Sequence, residues 1–144
     1  VAVLVVVNSL GNVLDADRTI LAGPRSDDGS FVPYEVLVGQ SPDRVGLNTV
    51  LTVAVTDLNI DRDLLYHIAR SCNAGVAQTV VPAHTLWDGD TAFAVSTRKA
   101  GTLPREMAFD LGVIFSQLTA KAIRQAAKEA RSVAGIPALT DLRR

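Results

Sequence analysis

Gly46-Leu47-Asn48-Thr49-Val50-Leu51-Thr52-Val53-Ala54-Val55-Thr56-Asp57 is the stretch whose reading decides the fold. After the polar pair Asn48-Thr49, threonines alternate with aliphatic residues. Successive side chains of a strand point to opposite faces, so this alternation predicts a strand over Val50–Thr56. Thr49 stands at its mouth, behind a glycine-containing loop. A hydroxyl placed there is held rigidly and can still be reached, which is what a nucleophile needs. A second polar cluster, His84-Thr85-Leu86-Trp87-Asp88-Gly89-Asp90-Thr91, also leads into an apolar strand, Thr91–Ser96. The two strand mouths are expected to meet in one site.

Upstream, Val1–Val7 is a continuous aliphatic run, the pattern of a strand buried on both faces. It carries no charge and lacks the layout of a signal peptide, so it reads as a strand caught in mid-stream, in the C-terminal part of a longer chain. It ends at Asn8-Ser9-Leu10-Gly11-Asn12, a turn signal, after which Val13-Leu14 and Thr19–Leu21 are expected to pair back as short strands. Asn8 has two readings: a turn-forming residue, or an amide aimed into a site. From Ala22 to Gly46 the many Gly, Pro, Ser and Asp residues predict a surface loop or linker, one that a cut near Asn48 would free.

Downstream, Asn59-Ile60-Asp61 offers helix-start chemistry. Leu64, Leu65, Ile68, Ala69, Cys72 and Val76 then recur at helical spacing, predicting a helix over Asp61–Gln78. Cys72 belongs to its core face, and His67 to the surface flank. Thr79-Val80-Val81 reads as a short apolar link. A second helix is predicted over Asp110–Ala134, with Met107, Leu111, Ile114, Phe115, Leu118, Ala122, Ala126, Ala130 and Val133 on one face. Lys121, Arg124, Lys128 and Arg131 mark the solvated face, and Gly135 and Pro137 stop the helix.

Composition narrows the function. The 144 residues, 48% of them hydrophobic, suffice for a single domain with its own core. A net charge of −1, with three lysines in all, presents no basic face for nucleic acid. No apolar run approaches the roughly 20 residues of a membrane span. One cysteine makes no internal disulfide, which suits a reducing, cytoplasmic setting. Two histidines and one cysteine, far apart, leave little for zinc, and Asp88-Gly89-Asp90 lacks the further oxygens of a calcium loop. Dinucleotide, Walker, zinc-protease and serine-elbow motifs are missing, so no cofactor is expected. What remains is a hydroxyl at one strand mouth and two carboxylates flanking a glycine at the other. Such a pair has two readings, a compact turn and nothing more, or carboxylates that hold and polarise a nucleophile or an amine close by. His84 has two readings, a base or a hydrogen-bonding structural residue.

Asn48-Thr49 leading into Val50–Asp57, then a helix, then Pro82-Ala83-His84-Thr85-Leu86-Trp87-Asp88-Gly89-Asp90-Thr91-Ala92-Phe93-Ala94-Val95-Ser96-Thr97, resembles the C-terminal half of the L-aminopeptidase/D-esterase (DmpA-like) family. That family includes the nylon-oligomer hydrolase. The likeness runs from Val3–Gly11 to the tail Gly135-Ile136-Pro137.

The resemblance implies an α/β protein, a four-layer α/β/β/α sandwich of which residues 1–144 are the C-terminal part. It implies a hydrolase that cuts itself between Asn48 and Thr49 and then uses Thr49 as its N-terminal nucleophile. Asp88 and Asp90 match carboxylates placed around the nucleophile, and Asn8 matches an amide that helps to bind the oxyanion. The implied partners are the N-terminal section of the same precursor, a small peptide or amide substrate, and further copies in a homo-oligomer. Two rivals share the resemblance: an acyltransferase of the ornithine acetyltransferase type, and a catalytically silent relative kept as a binding or assembly module.

Overall fold

The computed structural model describes residues 1–38 and 48–142. Three strands form the sheet that carries the site: β1 (Ala2–Asn8), β4 (Thr49–Thr56) and β6 (Thr91–Ser96), in the order β1-β4-β6. β1 runs antiparallel to β4, placing Asn8 opposite Thr49, while β6 runs parallel to β4 with Leu51 opposite Thr91. Parallel neighbours need a long crossover, and α2 (Arg62–Thr79) provides it. A second small sheet joins β2 (Asn12–Leu14), β3 (Ile20–Ala22) and β5 (Val80–Val81) in the order β3-β2-β5. The expected pairing of the two short strands is therefore present, and the expected apolar link at Val80-Val81 is a strand.

α2 begins where its chemistry predicts. The Asp61 carboxylate accepts the Leu64 N–H at 2.8 Å, satisfying one of the free donors of the first turn. Its buried side is Ile68, Cys72, Gly75, Val76 and Thr79, which confirms Cys72 in the core and leaves His67 on the surface. α3 (Ala108–Glu129) packs beside it, but on a rotated face: Leu111 and Phe115 are buried as expected, along with Gly112, Ser116, Thr119, Ala120 and Ile123. Met107, Ile114, Ala126 and Ala130 are exposed. Close approach of the two helices explains the rotation. A Cβ on Gly75 would lie 2.4 Å from the Ser116 carbonyl oxygen and 2.8 Å from the Thr119 side chain, so small residues occupy the seam. Hydrophobicity alone does not flag such residues.

α3 also ends five residues before the expected stop at Ala134. Ala134 and Gly135 adopt left-handed backbone, and Val133 and Ile136 exchange two hydrogen bonds, closing a turn ahead of α4 (Leu139–Leu142). Of the basic stripe, the half-buried Arg124 donates to the Leu14 carbonyl of β2, while Lys128 stays exposed and pairs with Asp15 at 2.9 Å. The segment expected as a loop from Ala22 to Gly46 is described as far as Val38. It contains a hydrogen-bonded turn at Ser26–Ser30 and a short helix, α1 (Tyr34–Val38). It is tied to the body by the buried Asn12 amide, which donates to the Val32 carbonyl at 2.9 Å. The remainder, residues 39–46, lies outside the described residues.

One expectation fails clearly. β1 is covered on one face only: Val3, Val5 and Val7 turn inward, while Leu4 (66% exposed) and Val6 (59%) face out. In β4, Val50, Thr52, Ala54 and Thr56 are buried against the helices, and Leu51 and Val55 are exposed. Phe93 and Val95 of β6 complete the same open face. The sheet thus carries one helix layer and presents an apolar surface on its other side. No helix among the described residues is long and apolar enough to cross a membrane.

The core joins two clusters, one around Val50, Val76, Val80 and Ile123 and the other around Ala54, Ile68, Cys72, Leu111 and Phe115. Truncating the fully buried Phe115 to Ala is expected to cost about 3–5 kcal/mol, measured by denaturant titration. Burial pushes the Cys72 thiol up, away from its reactive form. A thiol reagent at neutral pH should therefore label Cys72 only once the fold is opened by denaturant.

Candidate active site

Strand pairing brings the two polar mouths together. The parallel ladder of β4 and β6 continues past the strand end, with Asn48 bridged to Asp88. The Gly89 N–H donates to the Asn48 carbonyl oxygen at 2.8 Å. The half-buried Thr49 hydroxyl donates to that same oxygen at 2.6 Å. Two donors thus converge on the carbonyl of the Asn48–Thr49 peptide, and one of them is the hydroxyl of the residue that follows it.

Gly89 fits this spot because it has no side chain. A Cβ there would lie 2.7 Å from the Thr49 Oγ, inside contact distance. Across the sheet, Asn8 shares the open face with Thr49, since directly opposed residues of an antiparallel pair project to the same side about 4.5–5.5 Å apart. Leu51 and Val6 continue that face, so the polar pair borders an apolar floor.

The two carboxylates do different things. Asp90, with 6% of its side chain exposed, accepts the Val50 N–H through Oδ1 at 2.7 Å and meets the His84 ring through Oδ2 at 2.9 Å. It therefore grips the backbone directly after Thr49. Asp88 turns to its own loop, where Oδ2 accepts both the N–H and the hydroxyl of Thr85 at 2.8 Å. The structure thus brings Asn48, Thr49 and Asp90 together at the strand mouth, with Asn8 opposite Thr49 in the ladder, while Asp88 contributes its backbone to the bridge and its carboxylate to the turn. The sequence reading did not single out Gly89. The signal available was a glycine between two carboxylates, opposite a hydroxyl. The buried Asn48 Nδ2 finds no hydrogen-bond partner among the described residues.

Other features lie away from this point. Among the described residues no group of three His, Cys, Asp or Glu side chains is placed to hold a metal ion. A groove of about 320 Å³ between α2 and α3, lined by His67, Ser71, Phe109 and Ser116, contains none of the site residues. Neither does one of about 330 Å³ beside Leu21, Phe31 and Leu139.

The strand-mouth Thr49 thus donates its hydroxyl to its own upstream carbonyl, on an α/β sheet backed by helices. Residues 1–140 match peptidase family S58, and the chain belongs to that family. It is 31% identical, over 95% of its length, to a protein of Mycobacterium leprae named an uncharacterized aminopeptidase, of which the match covers 42%. Proteins of the same name from Mycobacterium bovis and Mycobacterium tuberculosis are 30% identical over 99% of this chain and 47% of their own. The chain therefore spans less than half the length of these curated relatives.

Gly89→Ala tests the crowding directly. The added methyl should displace the Thr49 hydroxyl from the Asn48 carbonyl and cost about 1–3 kcal/mol of stability, the usual range for an overfilled site. A crystal structure of the variant with the hydroxyl contact intact would refute this.

Proposed function

We propose that this chain is the nucleophile-bearing part of a self-processing amide hydrolase of aminopeptidase type, cut at Asn48–Thr49 and acting through Thr49. The observation that carries the reading is the Asn48 carbonyl oxygen, held between the Thr49 hydroxyl at 2.6 Å and the Gly89 N–H at 2.8 Å.

In the first reaction the Thr49 Oγ attacks the Asn48 carbonyl carbon. Its proton passes to the Thr49 nitrogen as the C–N bond breaks, leaving Asn48 esterified to the hydroxyl. Water opens the ester, releasing the Asn48 carboxylate and restoring the Thr49 hydroxyl beside the freed α-amine. The Gly89 N–H, already on the oxygen, faces the charge that develops there. In the second reaction the α-amine, with a pKa of about 7.7–8.0 in short peptides, takes the Oγ proton as Oγ attacks a substrate amide. The leaving amine receives that proton, and water hydrolyses the acyl-threonine. Asn8, opposite Thr49, donates its amide to the substrate oxyanion. Asp90 holds the backbone at Val50, and Asp88 holds the Thr85–Asp88 turn that carries Gly89.

The rest of the precursor completes the enzyme. The exposed apolar face formed by Leu4, Val6, Leu51, Val55, Phe93 and Val95 supports a second sheet stacked on it, giving the four-layer α/β/β/α sandwich. The grooves that avoid Thr49 support a substrate pocket built partly by that section. The substrate is a small peptide or amide, and the assembly a homo-oligomer.

Intact mass and N-terminal sequencing of the precursor test the cut. Thr49→Ala should stay uncut and inactive, whereas Thr49→Ser should still yield a fragment beginning at residue 49. Cleavage of the Thr49→Ala chain at Asn48 would end the proposal. In the cut enzyme, Asn8→Ala should lower turnover by roughly 10²–10³, as for loss of one oxyanion donor. Activity should rise with pH, because the α-amine works as a base only after losing its proton. A profile falling over the same range would count against an α-amine base.

A further inference from the structure

His84 occupies an unusual place beside the site. Its backbone turns left-handed, with φ 55°, a conformation uncommon outside glycine. That turn brings both its N–H (3.3 Å) and its ring Nδ1 (2.9 Å) to the same Asp90 oxygen, Oδ2. The other ring nitrogen, Nε2, lies 3.0 Å from the Asn73 carbonyl oxygen on α2. Each ring nitrogen therefore sits at hydrogen-bond distance of an oxygen, Nδ1 of Asp90 and Nε2 of Asn73. The remaining Asp90 oxygen accepts the Val50 N–H at 2.7 Å. A continuous chain of hydrogen bonds thus runs from α2 through His84 and Asp90 to the backbone next to Thr49.

We propose that His84 is a positioning residue for Thr49, a clamp that fixes Asp90 between the crossover helix and the Val50 N–H. Its role rests on Thr49 being the nucleophile. A ring one-third exposed, in contact with Asp90 and Asn73, acts through the carboxylate and not on substrate. Its purpose is registry: the strand mouth stays fixed while the bond upstream of Thr49 is attacked and then lost.

The test uses the whole precursor and its cut form. His84→Gln should slow chain cleavage, and lower kcat of the cut enzyme, by about 10- to 100-fold, since small misplacements of a reacting group carry losses of that order. KM should change little. Combining His84→Gln with Asp90→Asn should be no slower than Asp90→Asn alone, because the two act as one unit. Losses that multiply, in a chain that does process at Thr49, would overturn this proposal by itself. Processing of the Thr49→Ala chain would instead remove the nucleophile reading, and with it anything for His84 to position.

Discussion

The pairing of Asn48 with the Asp88–Gly89 backbone is the contact on which the rest of the site depends. One hydrogen bond, Gly89 N–H to Asn48 carbonyl, extends the parallel ladder beyond the strand and fixes the peptide ahead of Thr49. A parallel ladder is possible only with a crossover, and α2 makes one by spanning from the end of β4 to the short strand β5. The helix is anchored by Ile68, Cys72 and Val76 against the buried face of the sheet. Core packing, crossover and strand register therefore act together on the distance between Thr49 and Gly89. A slip of one residue in that register would turn Thr49 to the helix face, since alternate residues point to opposite sides.

Much of this was legible in the sequence, and for a physical reason. Strands announce themselves by alternation, so Val50–Thr56 and Thr91–Ser96 were readable without a structure, as was the helix capped by Asp61. Asn8, Asn48, Thr49 and the two aspartates were readable as polar residues at the ends of apolar strands. What stayed hidden depends on approach between distant residues. Gly112, Ser116 and Thr119 line the helix seam because their side chains are small, which no hydropathy pattern reports. Gly89 matters for the same reason. The different partners of Asp88 and Asp90 were equally out of reach, because two carboxylates in one tripeptide look alike until their rotamers are known.

The misreading of Val1–Val7 is instructive. A run of aliphatic residues without alternation specifies a strand that is apolar on both sides, and β1 is such a strand. Half of that apolar surface is satisfied by the helix layer, while Leu4 and Val6 remain open together with Leu51, Val55 and Phe93. Exposed apolar residues scattered singly need no explanation, but a contiguous face across three strands does. Thr49 and Asn8 sit on that same face, at its edge. In the proposed enzyme, whatever covers the sheet also walls the site, which ties the assembly of the layers to the shaping of a substrate pocket.

The two proposed reactions differ chiefly in the state of one atom. In the first, the Thr49 nitrogen is an amide nitrogen and leaves as the Asn48 acyl group moves to Oγ. In the second, the same nitrogen is a free amine and accepts the Oγ proton. The covalent separation between nitrogen and hydroxyl within Thr49 is common to both, so the protein need not rebuild its base after the cut. What it must hold constant is the hydroxyl and an oxyanion donor. Gly89 donates through its backbone, and Asp90 fixes the next N–H along β4, so neither contact depends on a flexible side chain of the strand itself. Breaking the Asn48–Thr49 bond removes the upstream tether of the strand. The grip on Val50, from a carboxylate anchored to α2 through His84, is the part of the site that can keep Thr49 in place afterwards.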